Sequence, residues 1–343
     1  METPRTTRVG IRDVARVAGV SPTTVSHAIN RPERVSRRTR ELIEQAIAET
    51  GYVPDASARL MRGMLSPLVG CVVLDIGNPF FGEVLRGVED HLHASGCIAV
   101  TCSSDLDPAR ETRYLSLLQA QRPRGLILNP VTVDPGAVRR IVAQGSPVVL
   151  LDHDRADLPV CAVKVDHRAG GRLAADHLVG LGHRQLAIFT ADPEILGVRE
   201  RMEGFLDGVR DAGLDPARHV TRYAFQLPHL APDAEAVVER MLARPPLPTG
   251  IFCLNDQSAT ELLRCLTRRD VAVPRDVSLV GYDDLADSEV LSPPLTTVRQ
   301  PKYDLGRAAA DLLLHEADQE HRHEQVGFRP ELVVRASTAP PSR

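Results

Sequence analysis

The chain contains no tryptophan, only 3% aromatic residues, and just two lysines (Lys164 and Lys302) among its 41 basic side chains. Without an indole, stacking on the face of a ligand ring falls to phenylalanine or tyrosine. No stretch approaches the roughly eighteen apolar residues of a bilayer-crossing helix. The opening METPRTTRVGIRD also lacks the apolar run of a signal peptide, so no membrane partner is expected. The six cysteines (71, 97, 102, 161, 253, 265) form no CxxC pair, and five sit in apolar surroundings. Buried thiols in a reducing cytoplasm are the expectation. GxSxG, P-loop and HExxH patterns are all missing, and no nucleophile or acid/base pair stands out. An enzyme is therefore not expected, and no cofactor is implied.

The 343 residues, 43% of them hydrophobic, suffice for a small domain followed by one or two of standard size. Charge is unevenly spread. Residues 1–62 hold 11 Arg and 7 acidic side chains, a net of +4, and the rest holds 30 basic and 38 acidic, a net of -8. A basic module on an acidic body suggests a polyanion partner for the module alone.

In the stretch GIRDVARVAGVSPTTVSHAIN, residues Ile11, Val14, Ala15 and Ala18 recur at helical spacing until Gly19 interrupts. Ser21 is suited to cap a second helix, with Pro22 at its first position, where a missing N–H costs nothing. Val25 and Ile29 then face inward, leaving Pro22, Thr23, Ser26, His27 and Asn30 outward or near the rim. A third helix is predicted from a Ser36 cap, through a buried stripe of Leu42, Ile43, Ala46 and Ile47, to a stop at Gly51. Two helices joined by a short glycine turn fit a helix-turn-helix, whose second helix enters a DNA major groove. An ordinary helical hairpin has the same pattern; the basic balance and small polar residues favour DNA. Asp55 could cap a short linker helix over 56–62, too short to persist alone in water.

Beyond residue 66, LVGCVVLD (68–75) reads as a strand buried on both faces. Helical patterns at 80–94, 108–122, 167–181, 198–212, 232–243 and 257–269 alternate with strands at 97–102, 125–130, 147–152, 185–190, 249–256 and 277–284. This alternation predicts an α/β body of two doubly wound parallel sheets. Such lobes bind ligands at the carboxyl ends of their strands. Those ends carry Asp75, Asn129, Asp152, Thr190, Asn255, Asp256, Asp283 and Asp284, a polar set suited to a polyhydroxylated ligand. The histidine pairs in HLH (91–93) and HRH (321–323) lack companion ligands at fixed spacing, so no metal is expected; HEADQEHRHEQ (315–325) reads as a solvated charged loop.

The runs VGIRDVARVAGVSPTTVSHAIN and RVSRRTRELIEQAIAETGYVPDASAR, followed by DIGNPFF, LGHR, VPRDVSLVGYDDL, PPLTTVRQP and PELVVRAST, resemble the LacI/GalR family of bacterial repressors over nearly the whole chain. The resemblance implies a helix-turn-helix DNA-binding domain at 1–54, a hinge helix and linker at 55–65, and a two-lobed periplasmic-binding-protein-like core at 66–343. The core chain would cross between lobes near 160 and 290. It implies base contacts from Pro22, Thr23 and His27, with phosphates held by Ser21, Thr24, Ser26, Asn30 and Tyr52. The minor-groove hinge residues would be Ala58, Leu60 and Met61. Phe80, Phe81, Asp152, Arg201, Asn255 and Asp283 would bind an effector, with Phe225 a further candidate. Ile195 stands where purine-binding relatives carry a polar residue, which points away from a purine and toward a sugar. The partners implied are a palindromic DNA operator, a small-molecule effector and a second copy of the chain. The end RASTAPPSR leaves no heptad tail, so a homodimer rather than a tetramer is expected. The alternative is a two-lobed sugar-binding protein without a gene-regulatory role.

Overall fold

The computed structural model describes residues 9–53, 66–131, 134–153, 157–191, 195–225, 230–244, 246–316 and 321–342. The chain divides into two compact units, Met1–Ser66 and Pro67–Arg343.

In the first unit, α1 (Ile11–Ala18) ends where Gly19 adopts φ 65°, donating its N–H to the Ala15 carbonyl. This left-handed turn is readily available to glycine and redirects the chain within three residues. Helix α2 (Pro22–Asn30) starts from Ser21, whose hydroxyl accepts the Thr24 N–H at 3.1 Å. Helix α3 (Arg37–Thr50) is capped likewise by Ser36 and stops at Gly51. Val14, Ala15, Val25, Ile43 and Ala46 form the core, with Ile29, Ile47 and Tyr52 packed around it. Leu42 departs from the expected stripe and is 46% exposed, because Ile43 and Ala46 already fill the small interior. The expected linker helix at 56–62 lies outside the described residues.

The second unit begins with β1 (Leu68–Val73), α4 (Pro79–Ala94), β2 (Ile98–Ser103), α5 (Pro108–Ala120), β3 (Gly125–Leu128), α6 (Pro135–Ala143), β4 (Val148–Leu151) and β5 (Cys161–Val165). It continues through α7 (His167–Gly180), β6 (Leu186–Thr190), α8 (Leu196–Asp211), α9 (Pro216–His219), β7 (Val220–Ala224), α10 (Leu230–Leu242), β8 (Gly250–Cys253), α11 (Asp256–Thr267) and β9 (Ser278–Asp283). The last elements are β10 (Thr296–Arg299), α12 (Lys302–His315), β11 (Gln325–Phe328) and β12 (Glu331–Val333). Two six-stranded sheets result, ordered β11-β5-β4-β3-β1-β2 and β12-β10-β9-β8-β6-β7. All pairings are parallel except β10 with β12. The core is thus mixed α/β with two doubly wound lobes. Five of the six cysteines are buried and none is paired. No helix among the described residues is long and apolar enough to cross a membrane.

Among the described residues the chain crosses between sheets after Val165 and after Arg299, five and nine residues beyond the crossings expected near 160 and 290, and a third time after Phe328. Strand β5 keeps the chain in the first lobe through Val165. The third crossing arises because β11, which begins at the last residue of the segment read as a charged loop, pairs with β5 at the edge of the first sheet. Strand β7 was equally hidden: Thr221, Arg222 and Ala224 are exposed, as an edge permits.

Helices α7 and α8 cross on facing glycines. A Cβ on Gly171 would lie 1.9 Å from the Arg201 carbonyl oxygen, and one on Gly204 would lie 1.9 Å from that of Arg168. This approach brings His167, at the start of α7, against Arg201 of α8.

Candidate functional site

The first candidate surface is the front of α2. Pro22 at the first helical position leaves no N–H to satisfy, and Ser21 bonds both the Thr24 N–H and, at 2.8 Å, its hydroxyl. Val25 is fully buried and anchors the helix, so the positions beside it face outward. Ser21, Pro22 and Thr23 are exposed, while Thr24, Ser26, His27 and Asn30 are half-buried. The Asn30 amide donates to the Ser26 carbonyl at 2.7 Å and its hydroxyl at 3.3 Å. In this state Asn30 closes its own helix instead of reaching outward. Tyr52 packs against the head core. Ala58, Leu60 and Met61 lie outside the described residues.

The second candidate site is the cavity between the lobes of the core. Phe80, Phe81, Asn129, Asp152, Ile195, Arg201, Asn255 and Asp283 all line it, together with Asp75, Asn78, His153 and Gln257. All six effector residues expected from sequence are therefore brought together. Phe225 is not: it packs in the second-lobe core, 4.7 Å from the Phe189 ring.

On the first-lobe side, Asn78 caps α4 by accepting the Phe80 N–H at 3.0 Å. That cap sets Phe80 and Phe81 edge to face, 5.1 Å apart and 84° between planes, as an apolar wall. Asn129 follows β3; its Oδ1 is buried and has no hydrogen-bond partner among the described residues. A buried amide oxygen left unpaired costs free energy of about 1–3 kcal/mol unless something fills the cavity and donates to it.

Asp283, ending β9 in the second lobe, and Asp152, following β4 in the first, have φ of 113° and 57°, where non-glycine residues are uncommon. Strain at such positions concentrates at functional sites. Both oxygens of Asp152 lie against His167 Nε2, at 2.7 and 2.8 Å. The other ring nitrogen of His167 meets the Tyr282 hydroxyl at 3.0 Å and Arg201 Nε at 3.2 Å. Arg201 lies over the Tyr282 ring at 3.9 Å, donates to the Leu254 carbonyl at 2.7 Å, and comes within 3.7 Å of Asp283. Burial pushes Asp152 up, but its contact with His167 and the charge of Arg201 outweigh that and hold the carboxyl at about 2. Asp283 behaves oppositely: burial lifts its carboxyl to about 7, with Arg201 offsetting only part of the rise. The pocket thus offers one firmly ionised carboxylate, one near its titration point, and a fixed guanidinium.

Asn255 caps α11 with its oxygen, accepting the Ser258 N–H at 2.8 Å, so its amide nitrogen is the group left for a ligand. Asp283 Oδ1 accepts from Gln300 at 2.6 Å, and its carbonyl accepts from Lys302 at 2.9 Å. Gln300 and Lys302 belong to the second interlobe crossing, so a ligand on Asp283 touches the strap joining the lobes.

Sequence reasoning missed His167 and Tyr282, the layer behind the lining. His167 reads locally as the first residue of a helix, and Tyr282 as strand core. Their roles depend on the α7–α8 crossing. The assignment of 315–325 to a solvated loop also needs correction. Glu316 and His321 are largely buried, and with His323 they gather around Cys161, 160 residues from His321 in sequence. Fixed local spacing could not reveal this.

A family model described as bacterial regulatory proteins, lacI family, matches residues 10–55, and one described as a periplasmic binding protein-like domain matches 175–338. The transcriptional regulator DegA of Bacillus subtilis is 32% identical over 336 residues, covering 96% of this chain and 98% of DegA. The transcriptional repressor PurR of Haemophilus influenzae is 33% identical, covering 95% of this chain and 98% of PurR. Among solved structures, a lac repressor dimer bound to operator and the anti-inducer ONPF superposes with TM-score 0.82 at 29% identity, covering 97% of this chain and all of that one. A LacI family regulator of Enterococcus faecium with bound ribose gives TM-score 0.73 at 30% identity, covering 80% of this chain and 99% of that one.

Proposed function

Because this chain belongs to the LacI family of bacterial regulatory proteins, a family of DNA-binding transcriptional repressors with a ligand-binding core and not of enzymes, we propose that its effector is a sugar or sugar derivative held between the core lobes. The observation that carries this reading is the pairing of Asn129 Oδ1, a buried acceptor without a partner, with the carboxylates of Asp152 and Asp283 across the same cavity. A polyol supplies hydroxyls that donate to all three while accepting from Arg201 and Asn255. Phe80 and Phe81 give its C–H face an apolar wall, and Ile195 offers no hydrogen bond to a base edge. The ribose-bound relative supports this chemistry.

On DNA, Pro22, Thr23 and His27 read bases. Proline gives apolar contact only, threonine a hydroxyl and a methyl, and histidine a donor to guanine N7 or O6. Ser21, Thr24, Ser26 and Tyr52 hold phosphates, and Asn30 joins them once it lets go of Ser26. One short reader helix contacts few bases, so the protein acts as a homodimer on a palindromic operator in the cytoplasm. Ala58, Leu60 and Met61 serve the minor groove at its centre. Effector binding closes the lobes through Asp283 and the 300–302 strap, changing how the paired hinges meet DNA, so the two ligands are linked.

The test is an anisotropy titration on DNA from the chromosomal region upstream of its own gene, repeated with a panel of sugars and with purine bases. Tight binding altered by one sugar is the expected result. A response to a purine and to no sugar overturns the effector assignment while leaving the DNA assignment standing. Operator affinity unchanged by any ligand would remove the linkage.

A further inference from the structure

At the outer edge of the first lobe, away from the cleft, Cys161, Glu316, His321 and His323 each place one ligand atom within 4.8 Å of every other. They arrive from three places: Cys161 opens β5, Glu316 follows α12, and the two histidines lead into β11. His321 Nε2 is 3.0 Å from Cys161 Sγ and 3.9 Å from Glu316 Oε1, and His323 Nδ1 is 3.0 Å from the same oxygen. In tetrahedral zinc, bonds of 2.0–2.3 Å separate neighbouring ligand atoms by roughly 3.3–3.8 Å. The spacings of 3.0 and 3.9 Å lie on either side of that range, so modest side-chain adjustment would complete a tetrahedron.

From this convergence we infer that the four side chains form a structural binding site for a zinc-class divalent cation, clipping the end of α12 and the lead into β11 to the edge of the first sheet. One thiolate, two imidazoles and a carboxylate make a borderline-soft set that suits Zn²⁺ better than Mg²⁺ or Ca²⁺, which take oxygen. All four positions are protein groups, as in structural and not catalytic zinc sites. The surroundings support the ligands: the Cys161 N–H donates to Glu316 Oε1 at 3.0 Å, and the Glu324 N–H points at Cys161 Sγ at 3.3 Å. Such outer contacts orient the ligands. Cys161 is fully buried and the Glu316 side chain is 5% exposed, whereas that of His323 is 42% exposed and gives the ion an entry side. On binding, the metal–sulfur bond replaces S–H and the proton leaves to solvent. A hydrogen-bonded cluster without metal is the competing account, and it differs in one respect: it has no need of sulfur.

The experiment uses the full chain without a histidine tag, dialysed against chelator and titrated with Co²⁺ and then Zn²⁺. One Co²⁺ per chain is expected, with the visible bands of a tetrahedral ion and a near-ultraviolet thiolate charge-transfer band. Zn²⁺ should displace it and raise the melting temperature by several degrees. Cys161→Ser, which keeps the hydrogen bonding, should abolish the charge-transfer band. His323→Ala, at the exposed ligand and so safe for folding, should weaken Co²⁺ binding at least about tenfold. Absence of a tetrahedral spectrum, substoichiometric uptake, or unchanged affinity in His323→Ala would each overturn the assignment.

Discussion

A carboxyl lifted to about 7 inside a ligand cavity makes Asp283 a reporter of what binds there. A hydroxyl that donates to Asp283 needs the ionised form, so binding lowers the group's pKa. Effector affinity should then be weak where the carboxyl is protonated and rise with pH through about 7, by at most about tenfold per pH unit, before levelling. Without ligand the sign reverses: protons favour the folded state, and this contribution to stability falls as pH climbs from the unfolded carboxylate range through about 7. Asp283→Asn should bind more weakly and lose the pH dependence, as calorimetry between about pH 6 and 8 would reveal. A wild-type affinity flat across that interval would take Asp283 out of the ligand's contacts. On DNA, Thr23→Ala and His27→Ala should each cost about 1–2 kcal/mol at the specific operator and little on random sequence, measured by competition. At this scale the site was half legible. Strand-end polar groups declare themselves because a buried strand must end at a loop, whereas His167 is identified only by what Asp152 and Arg201 do around it.

The pairing of α7 with α8 decides whether those residues meet at all. Gly171 lets the Arg201 carbonyl approach where any Cβ would clash, at 1.9 Å, and the Phe205 nitrogen would stand at 2.8 Å. Both obstacles are backbone, so relief requires the helices to separate. Gly171→Ala should destabilise the core by about 1–3 kcal/mol, lowering its melting temperature by several degrees. Effector affinity should fall with it, since Arg201 leaves His167. Gly180→Ala, in the same helix with nothing within 4 Å of the added carbon, is the control and should be neutral or slightly stabilising. Equal effects from the two variants would mean that helix propensity, not the crossing, sets the cost. Legibility follows burial only in part, since the edge strand β2 is readable whereas the buried β5 and β10 are not. Strands β1, β3, β4, β6, β8 and β9 are apolar runs covered on both faces, and the sequence pattern displays them. The edge strands β7, β11 and β12 are short and partly solvated, so their residues resemble loop, and their place depends on a neighbour distant in sequence.

Across the whole molecule, charge separates the two binding events. Residues 1–62 carry a net +4 while the remainder carries -8. DNA binding releases counterions in proportion to the phosphates neutralised, whereas a neutral polyol entering the cleft releases none. If about six phosphates are met per dimer, a fourfold rise in salt should weaken operator binding by roughly a thousandfold. The same rise should leave effector affinity nearly unmoved, because the Arg201, Asp152 and Asp283 charges are buried and paired, hence poorly screened. Anisotropy for DNA and calorimetry for effector, on one preparation at two salt concentrations, separate the terms. Linkage adds a second constraint, since an effector that changes operator affinity by some factor must have its own affinity changed by the same factor when operator is present. The effector's influence on DNA should therefore keep its ratio as salt varies, although the operator affinity itself collapses. If that ratio drifted with salt, the coupling would run through charges at the DNA surface instead of through closure of the lobes.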